Sequence, residues 1–263
     1  MDAAENEPVL LAVQAEGVLR LTLNRPAARN ALSVGLMSAL QEALERAALD
    51  AECRVVVIAG AGPAFCAGHD LREMRADNSR AAYERVFAQC SALMLQIVHL
   101  PKPVIAEVHG IATAAGCQLV ATCDLAVAAA DARFATPGVN LGLFCSTPMV
   151  ALTRAVGRKA AMEMLLTGDL VDAATAKALG LVNRVVPPSE LGAATLALAR
   201  QIASKSALTL AIGKEAFYAQ AELGLGQAYA YAAEVMTRNM LARDAAEGID
   251  AFLEKRSPVW QDA

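Results

Sequence analysis

Residues 101–143 read PKPVIAEVHGIATAAGCQLVATCDLAVAAADARFATPGVNLGL, and this stretch decides the fold. Val104–Val108 has the length and apolarity of a buried strand. Ile111–Ala114 is a turn of small residues, and a short helix is predicted from about Ala115. Ala and Gly keep side chains out of the way, so a ligand can approach the backbone closely. The first N–H groups of a helix have no partner inside it and carry partial positive charge. Donors of that kind can hold a developing oxyanion.

Outward from this stretch, strands and helices alternate. Val9–Val13 and Val18–Leu23 flank Glu16-Gly17 as in a hairpin. Ser33 is placed to cap a helix running to about Asp50, with Leu36, Leu40, Leu44 and Ala47 on one face. Arg54–Ala59 reads as a buried strand and Gly60–Gly68 as a turn-rich loop. Residues 80–99 carry Tyr83, Val86, Phe87, Cys90, Met94 and Ile97 at helical spacing. Further strands are predicted at 125–129 and 182–186, and from about Ser189 the chain reads as all helix. The class is α/β, with a core over residues 1–200 and a helical segment over 201–263.

The bulk numbers exclude several functions. The 263 residues are 56% hydrophobic but only 4% aromatic, so small aliphatic side chains must fill the core. A net charge of −4 argues against bulk nucleic-acid binding. The six cysteines show no paired spacing, and with three histidines they offer no zinc pattern, so they are read as free buried thiols. The acidic start MDAAENEPV lacks the marks of a secretory or transit peptide, and no apolar window reaches membrane-spanning length. These features predict a soluble, cytoplasmic protein with no metal and no membrane partner.

GAGPAF at 60–65 begins like a dinucleotide fingerprint, but Phe65 stands where its last glycine belongs, and no Lys-Ser or Lys-Thr pair follows for a P-loop. Two loops are more informative: AFCAGHDLREM at 64–74 and HGIATAAGCQL at 109–119. Each joins the end of a predicted strand to a helix, so both can present backbone donors at one sheet edge. With LNRPAARNAL, PKPVIAEVHG, GCQLVATCDLAVA, RAVGRKAAMEMLLTG, AKALGLVNRVVP and EGIDAFLEKRSPVW, they resemble the enoyl-CoA hydratase/isomerase (crotonase) superfamily over nearly the whole chain. The GLFCSTP loop and FLEKRSPVW tail are most similar to one branch, whose members are named for the fold rather than for a defined reaction.

That resemblance implies a crotonase-like spiral of ββα units, a C-terminal helical trimerisation region giving a homotrimer or hexamer, and an acyl-CoA thioester substrate. Coenzyme A enters as part of the substrate, with no separate cofactor. Two backbone N–H groups, those of His69 and Ala115, would hold the thioester oxygen. Arg25, Arg29, Ala67, Asp70, Leu71, Phe252 and Lys255 fall at substrate- and CoA-contacting positions. Phe252 would serve the adenine and Lys255 a phosphate, often from a neighbouring subunit. Asp70 has a second reading as a helix cap, and Asp124 reads as a structural acceptor.

The departures from the family pattern bear on chemistry. Its hydratases use two glutamates flanking a water, and here those positions hold Gln118 and Gly138. Neither can exchange a proton near neutral pH, and general acid–base help contributes ~10²–10⁴-fold per group. Ordinary hydration is therefore expected to be slow, and grafting Glu at both positions is expected to raise it. Cys145, Ser146 and Thr147 follow in the next loop; a thiol there would be a nucleophile only if its pKa were lowered. Two functions remain open: a lyase or isomerase acting on an enoyl-CoA or related thioester, and a non-catalytic acyl-CoA binder or oligomeric partner in fatty-acid metabolism.

Overall fold

The structure is a computed structural model and describes residues 7–263; the acidic start at 1–6 lies outside the described residues. Strand β1 (Leu10–Ala15) turns into β2 (Val18–Leu23) through Glu16 and Gly17, both at positive φ (51° and 77°). Such a two-residue turn matches the twist of the paired strands. Helix α1 (Val34–Leu49) starts at Ser33, whose hydroxyl accepts from the Leu36 N–H at 3.1 Å. Its inner face buries Leu36, Leu40, Leu44 and Ala47, as the spacing predicts.

The chain continues through β3 (Val55–Gly60), α2 (Leu71–Ala76), α3 (Arg80–His99) and β4 (Val104–Val108). Then follow β5 (Ile111–Thr113), α4 (Ala115–Thr122), β6 (Leu125–Ala129), β7 (Arg133–Ala135), α5 (Ser146–Ala155) and α6 (Arg158–Thr167). The last strands are β8 (Val171–Asp172) and β9 (Arg184–Val186), with α7 (Ala173–Leu179) between them. Four helices close the chain: α8 (Leu191–Ala203), α9 (Ala207–Ala221), α10 (Leu225–Met240) and α11 (Arg243–Leu253).

The main sheet has the order β1-β2-β3-β4-β6-β9, parallel except for the β1 hairpin. Its central strands are buried on both faces, as parallel sheets require. In β3, Val56 and Ile58 join the large core shared with α1, α3 and α4, while Val55 and Val57 face Leu191, Leu198 and Ala199 of α8. Glu107 of β4 is buried and accepts both guanidinium nitrogens of Arg20 across β3, at 2.5 and 2.6 Å.

A second sheet, ordered β5-β7-β8, departs from the sequence reading. The small-residue turn at Ile111–Thr113 is a strand, paired in parallel with β7. The strand expected at 182–186 shortens to Arg184–Val186, because Asn183 turns its side chain into the ladder and accepts the Ala126 N–H at 2.8 Å.

Asp124, at the end of α4, fastens the C-terminal helices to this frame. It accepts from the Val104 N–H at 2.7 Å, Lys214 Nζ at 2.7 Å and Tyr218 Oη at 2.8 Å. Lys214 also donates to the carbonyls of Ile97 and Lys102. Its burial lowers its pKa, opposed by the Asp124 charge. Among the described residues no helix is long and apolar enough to cross a membrane.

Candidate active site

The loops after β3 and β4 leave the carboxyl edge of the sheet, where open α/β sheets receive ligands. They are zipped together by backbone bonds: Phe65 N–H to His109 O, Cys66 N–H to Ile111 O, and Thr113 N–H to Cys66 O, at 3.0–3.1 Å. Contact is so close at Gly116 that an added Cβ would lie 2.1 Å from the Cys66 carbonyl. Asn30, fully buried at φ 54°, orders the first loop. Its amide donates to the Ala61 and Ala64 carbonyls at 2.8 and 2.7 Å, and its oxygen accepts from Arg25 N–H. Sequence reading missed this residue, although LNRPAARNAL contains it; a polar amide between apolar Ala31-Leu32 and a turn was the available signal.

Gly68 packs the loop that carries His69 against the start of α4, where Ala115 lies. At φ +101° its Cα faces α4, and a Cβ there would lie 2.9 Å from Ala114 Cβ and 3.4 Å from the Ala115 nitrogen. On either side of His69, Leu32 bonds the Gly68 carbonyl (2.7 Å) and the Asp70 N–H (3.2 Å). That parallel pattern turns the N–H of His69 away from Leu32. Ala115 opens α4, so its N–H has no acceptor within the helix. Among the described residues neither N–H donates to a protein group. Ala114, between the loops, takes φ 50° and ψ −117°, a conformation that suits glycine.

The His69 side chain turns against α3, its ring edge-on to Phe87 with centroids 5.7 Å apart. Both ring nitrogens are buried without a hydrogen-bond partner among the described residues. Burial lowers the imidazole pKa below its usual 6.5, with the Leu32 backbone opposing. Gln118 is buried one turn after Ala115, and its oxygen lies 4.0 Å from Cys90 Sγ, one turn along α3 from Phe87. It also lines an apolar cavity of about 1320 Å³ between α3, α4, α5 and α9, with Met94, Val150, Ala151 and Leu208.

Gly138 is buried in a short turn after β7, and there is no room beside it. An added Cβ would meet the Leu143 carbonyl at 2.7 Å and Cys145 Sγ at 2.9 Å. The expectation that a glutamate can simply be grafted there is therefore corrected. Burial raises the Cys145 thiol pKa, so it is not the activated nucleophile that the next loop required. Burial likewise pushes Cys66, Cys90 and Cys117 up to about 12.

Arg25 lies at this edge but is engaged in the loop. It donates to the Ala31 carbonyl at 2.6 Å and pairs with Asp70 at 2.8 Å. Asp70 also caps α2 through the Arg72 and Glu73 N–H groups. Ala67 bridges the loops, its N–H donating to the Arg29 carbonyl and its own carbonyl accepting from Thr113 Oγ1. Leu71, at the start of α2, and Arg29 are exposed, and the Arg29 guanidinium has no partner among the described residues. Phe252 and Lys255 are not brought to this edge. Helix α11 folds onto its own tail, which is tied to Arg54 at the opposite end of β3 through Asp262 at 2.6 Å.

Residues 13–263 match the sequence family described as enoyl-CoA hydratase/isomerase. The chain belongs to this family. A human relative, enoyl-CoA hydratase domain-containing protein 3, mitochondrial, is 48% identical over 257 residues, which is 97% of this chain and 85% of the relative. The crystal structure of the human domain-containing protein 3 superimposes with a TM-score of 0.93 at 47% identity, over 97% of this chain and all of that one. A crystal structure of an enoyl-CoA hydratase from Mycobacterium smegmatis gives 0.95 at 58% identity, over 97% and 99% of the two chains. The fold is that of the crotonase superfamily, and among its members the chain groups with the domain-containing protein 3 branch.

One expectation is overturned by these relatives. The human protein and those of mouse, frog, rat and zebrafish are each named mitochondrial, which points away from the cytoplasm. The cytoplasmic reading leaned on where this sequence begins, and a first residue carries no such conclusion.

Proposed function

We propose that the protein binds an acyl-CoA thioester and polarises its carbonyl between the backbone N–H groups of His69 and Ala115. The observation that carries this reading is the packing of Gly68 on Ala114 and Ala115, which sets two unpaired donors side by side at the carboxyl edge of the sheet. Preorganised donors of this kind are worth roughly 10²–10³-fold in rate each. The family's substrates support the thioester. The apolar cavity beyond Gln118 is suited to the acyl chain, and mitochondria are the compartment the relatives' names support. Ala67, Asp70 and Leu71 flank the first donor; Arg29 is free to meet a phosphate. Phe252 and Lys255 would act on the site of another copy in a homotrimer or hexamer. Coenzyme A comes with the substrate, and no separate cofactor is invoked.

With Gln118 and Gly138 at the family's glutamate positions, hydration of a simple enoyl-CoA is slow on this reading, and proton transfer at the acyl group is the chemistry left to the site. The crowding at Gly138 favours a second reading, a non-catalytic acyl-CoA binder, because a side chain there would have to displace the Leu143 carbonyl and Cys145. Calorimetry with butyryl-CoA, together with the rise of conjugated absorbance from a 3-enoyl-CoA, separates the two. Binding without any thioester chemistry supports the binder. Absence of binding would sink both.

A further inference from the structure

Two side chains near the site hold buried polar atoms without a hydrogen bond among the described residues: the Thr136 hydroxyl, just before the Gly138 turn, and the His69 imidazole, which alone of the two can accept a proton near neutral pH. Buried nitrogens without a partner are rare, because each forfeits hydration with nothing in return. At His69 neither nitrogen makes a hydrogen bond of normal geometry among the described residues, and only the pull of the Leu32 backbone on the ring offsets its burial. The ring is not loose, since Phe87 holds its edge. It leaves the same residue whose N–H is one of the two candidate oxyanion donors. It also rests on the face of α3 that Gln118 meets one turn later, at Cys90. Residues three apart on a helix share a face, so the imidazole and the Gln118 amide meet neighbouring residues on one face of α3.

We propose that the His69 side chain is the proton-transfer group of this site, taking a proton from the α-carbon of the bound thioester. The inference rests on the thioester reading above. The Cα–H bond breaks, and its electron pair passes into the thioester to give an enolate whose oxygen lies between the His69 and Ala115 N–H groups. The proton moves to the unprotonated ring nitrogen. It returns to Cα, which amounts to exchange, or to Cγ of a 3-enoyl thioester, which shifts the double bond into conjugation. Atoms and electrons balance with no further reactant. A buried, neutral imidazole suits the first step, because it begins with its lone pair free.

Other groups around the ring do not compete for this role. Asp70 is held by Arg25 and by the α2 N–H groups. The thiols of Cys66 and Cys90 are pushed up to about 12 and stay neutral. Gln118 and the Ala114-Ala115 segment of α4 carry no charge, Leu32 presents backbone, and Phe87 is the α3 residue on the ring.

The test incubates the full-length protein with butyryl-CoA in D₂O and follows deuterium at Cα by mass spectrometry, with calorimetry alongside. The wild type should exchange, at a rate that is flat near neutral pH and falls once the imidazole protonates, below its usual 6.5. His69→Gln keeps the backbone N–H and should bind butyryl-CoA with little change while losing ~10²-fold or more of the exchange. Exchange at the wild-type rate in His69→Gln, or none in a wild type that binds, would overturn the proposal. A wild type without butyryl-CoA affinity would instead remove the thioester reading beneath it. If His69→Gln fails to fold, NMR of the wild-type histidine ring decides: the His69 resonances should shift on adding butyryl-CoA, and unmoved resonances would refute the contact.

Discussion

At Ala114 an L-residue holds φ 50° and ψ −117° between the two site loops, its N–H bonded to the Ala135 carbonyl at 2.9 Å. Strain of that kind costs on the order of 1–3 kcal/mol and persists where the surroundings over-determine the backbone. Ala114→Gly relieves it and also frees Gly68 from the Ala114 methyl. The expected result is a gain of roughly 1 kcal/mol in urea unfolding, less what the more flexible unfolded chain gives back. Destabilisation would show that the Ala114 methyl contributes more packing than its backbone conformation costs. Gly138→Glu should behave in the opposite way. The added Cβ meets a backbone carbonyl that cannot swing aside, so a loss of ~1–3 kcal/mol is expected, and crotonyl-CoA hydration should not rise. Gln118→Glu meets no such obstacle and should raise hydration modestly, measured by loss of the conjugated absorbance. His69 adds a pH term. Its folded pKa is depressed by burial, so the unfolded chain binds the proton more readily. That contribution to stability is complete above about pH 6.5 and is lost as pH falls through the folded pKa. Unfolding midpoints taken from pH ~7.5 down to ~5 should fall more steeply for wild type than for His69→Gln.

Among the elements, the junction at Asp124 decides how the C-terminal helices are held. Lys214 is almost fully buried and Asp124 nearly so, with side chains 7% and 16% exposed. Removing one partner of a buried pair leaves an uncompensated charge and costs about 3–5 kcal/mol, while apolar replacement of both partners costs much less. Asp124→Ala and Lys214→Met should therefore each lower the urea midpoint sharply, and Asp124→Leu combined with Lys214→Met should cost less than the two single losses added; additive losses would mean the pair is not desolvated as the packing indicates. How much of this level was legible in the sequence depends on element length. The cap at Ser33, the stripe on α1 and the runs at β3, β4 and β6 announce themselves, because each spans enough residues to show a period. Strands β5, β7 and β8 have two or three residues and show none; their pairing is set by the loop after β3 lying against Ile111–Thr113. The site divides in the same way. The two loops that carry the candidate donors have recognisable residues. The engagement of Arg25 by Asp70, the crowding of Gly138 by Cys145 and the bare nitrogens of His69 are long-range facts, and no local pattern encodes them.

For the whole molecule the question is what covers the C-terminal helices. Neither α9 nor α10 has a buried residue. On α10 the inner side is used within the chain, where Tyr231 and Val235 are partly covered. Leu225, Tyr229, Met236 and Met240 form a separate stripe around the helix and are 49–77% exposed. A second apolar area lies on another part of the surface, with Leu141, Leu143, Leu166 and Leu170 exposed to between 56% and 63%. Apolar surface on this scale marks an interface, and two dissimilar patches on one chain suit a head-to-tail contact that closes into a ring. Light scattering at micromolar concentration should give three or six times the 27.4 kDa of one chain. Met236→Glu places a charge in the exposed stripe and touches no buried residue, so the chain should stay folded and fall to monomer. If Phe252 and Lys255 serve a neighbour's site, that monomer should also lose affinity for butyryl-CoA, since within one chain they lie at the wrong end of the sheet. A wild type that scatters as a monomer would refute the ring, and a monomeric Met236→Glu that binds butyryl-CoA at full strength would refute the shared site.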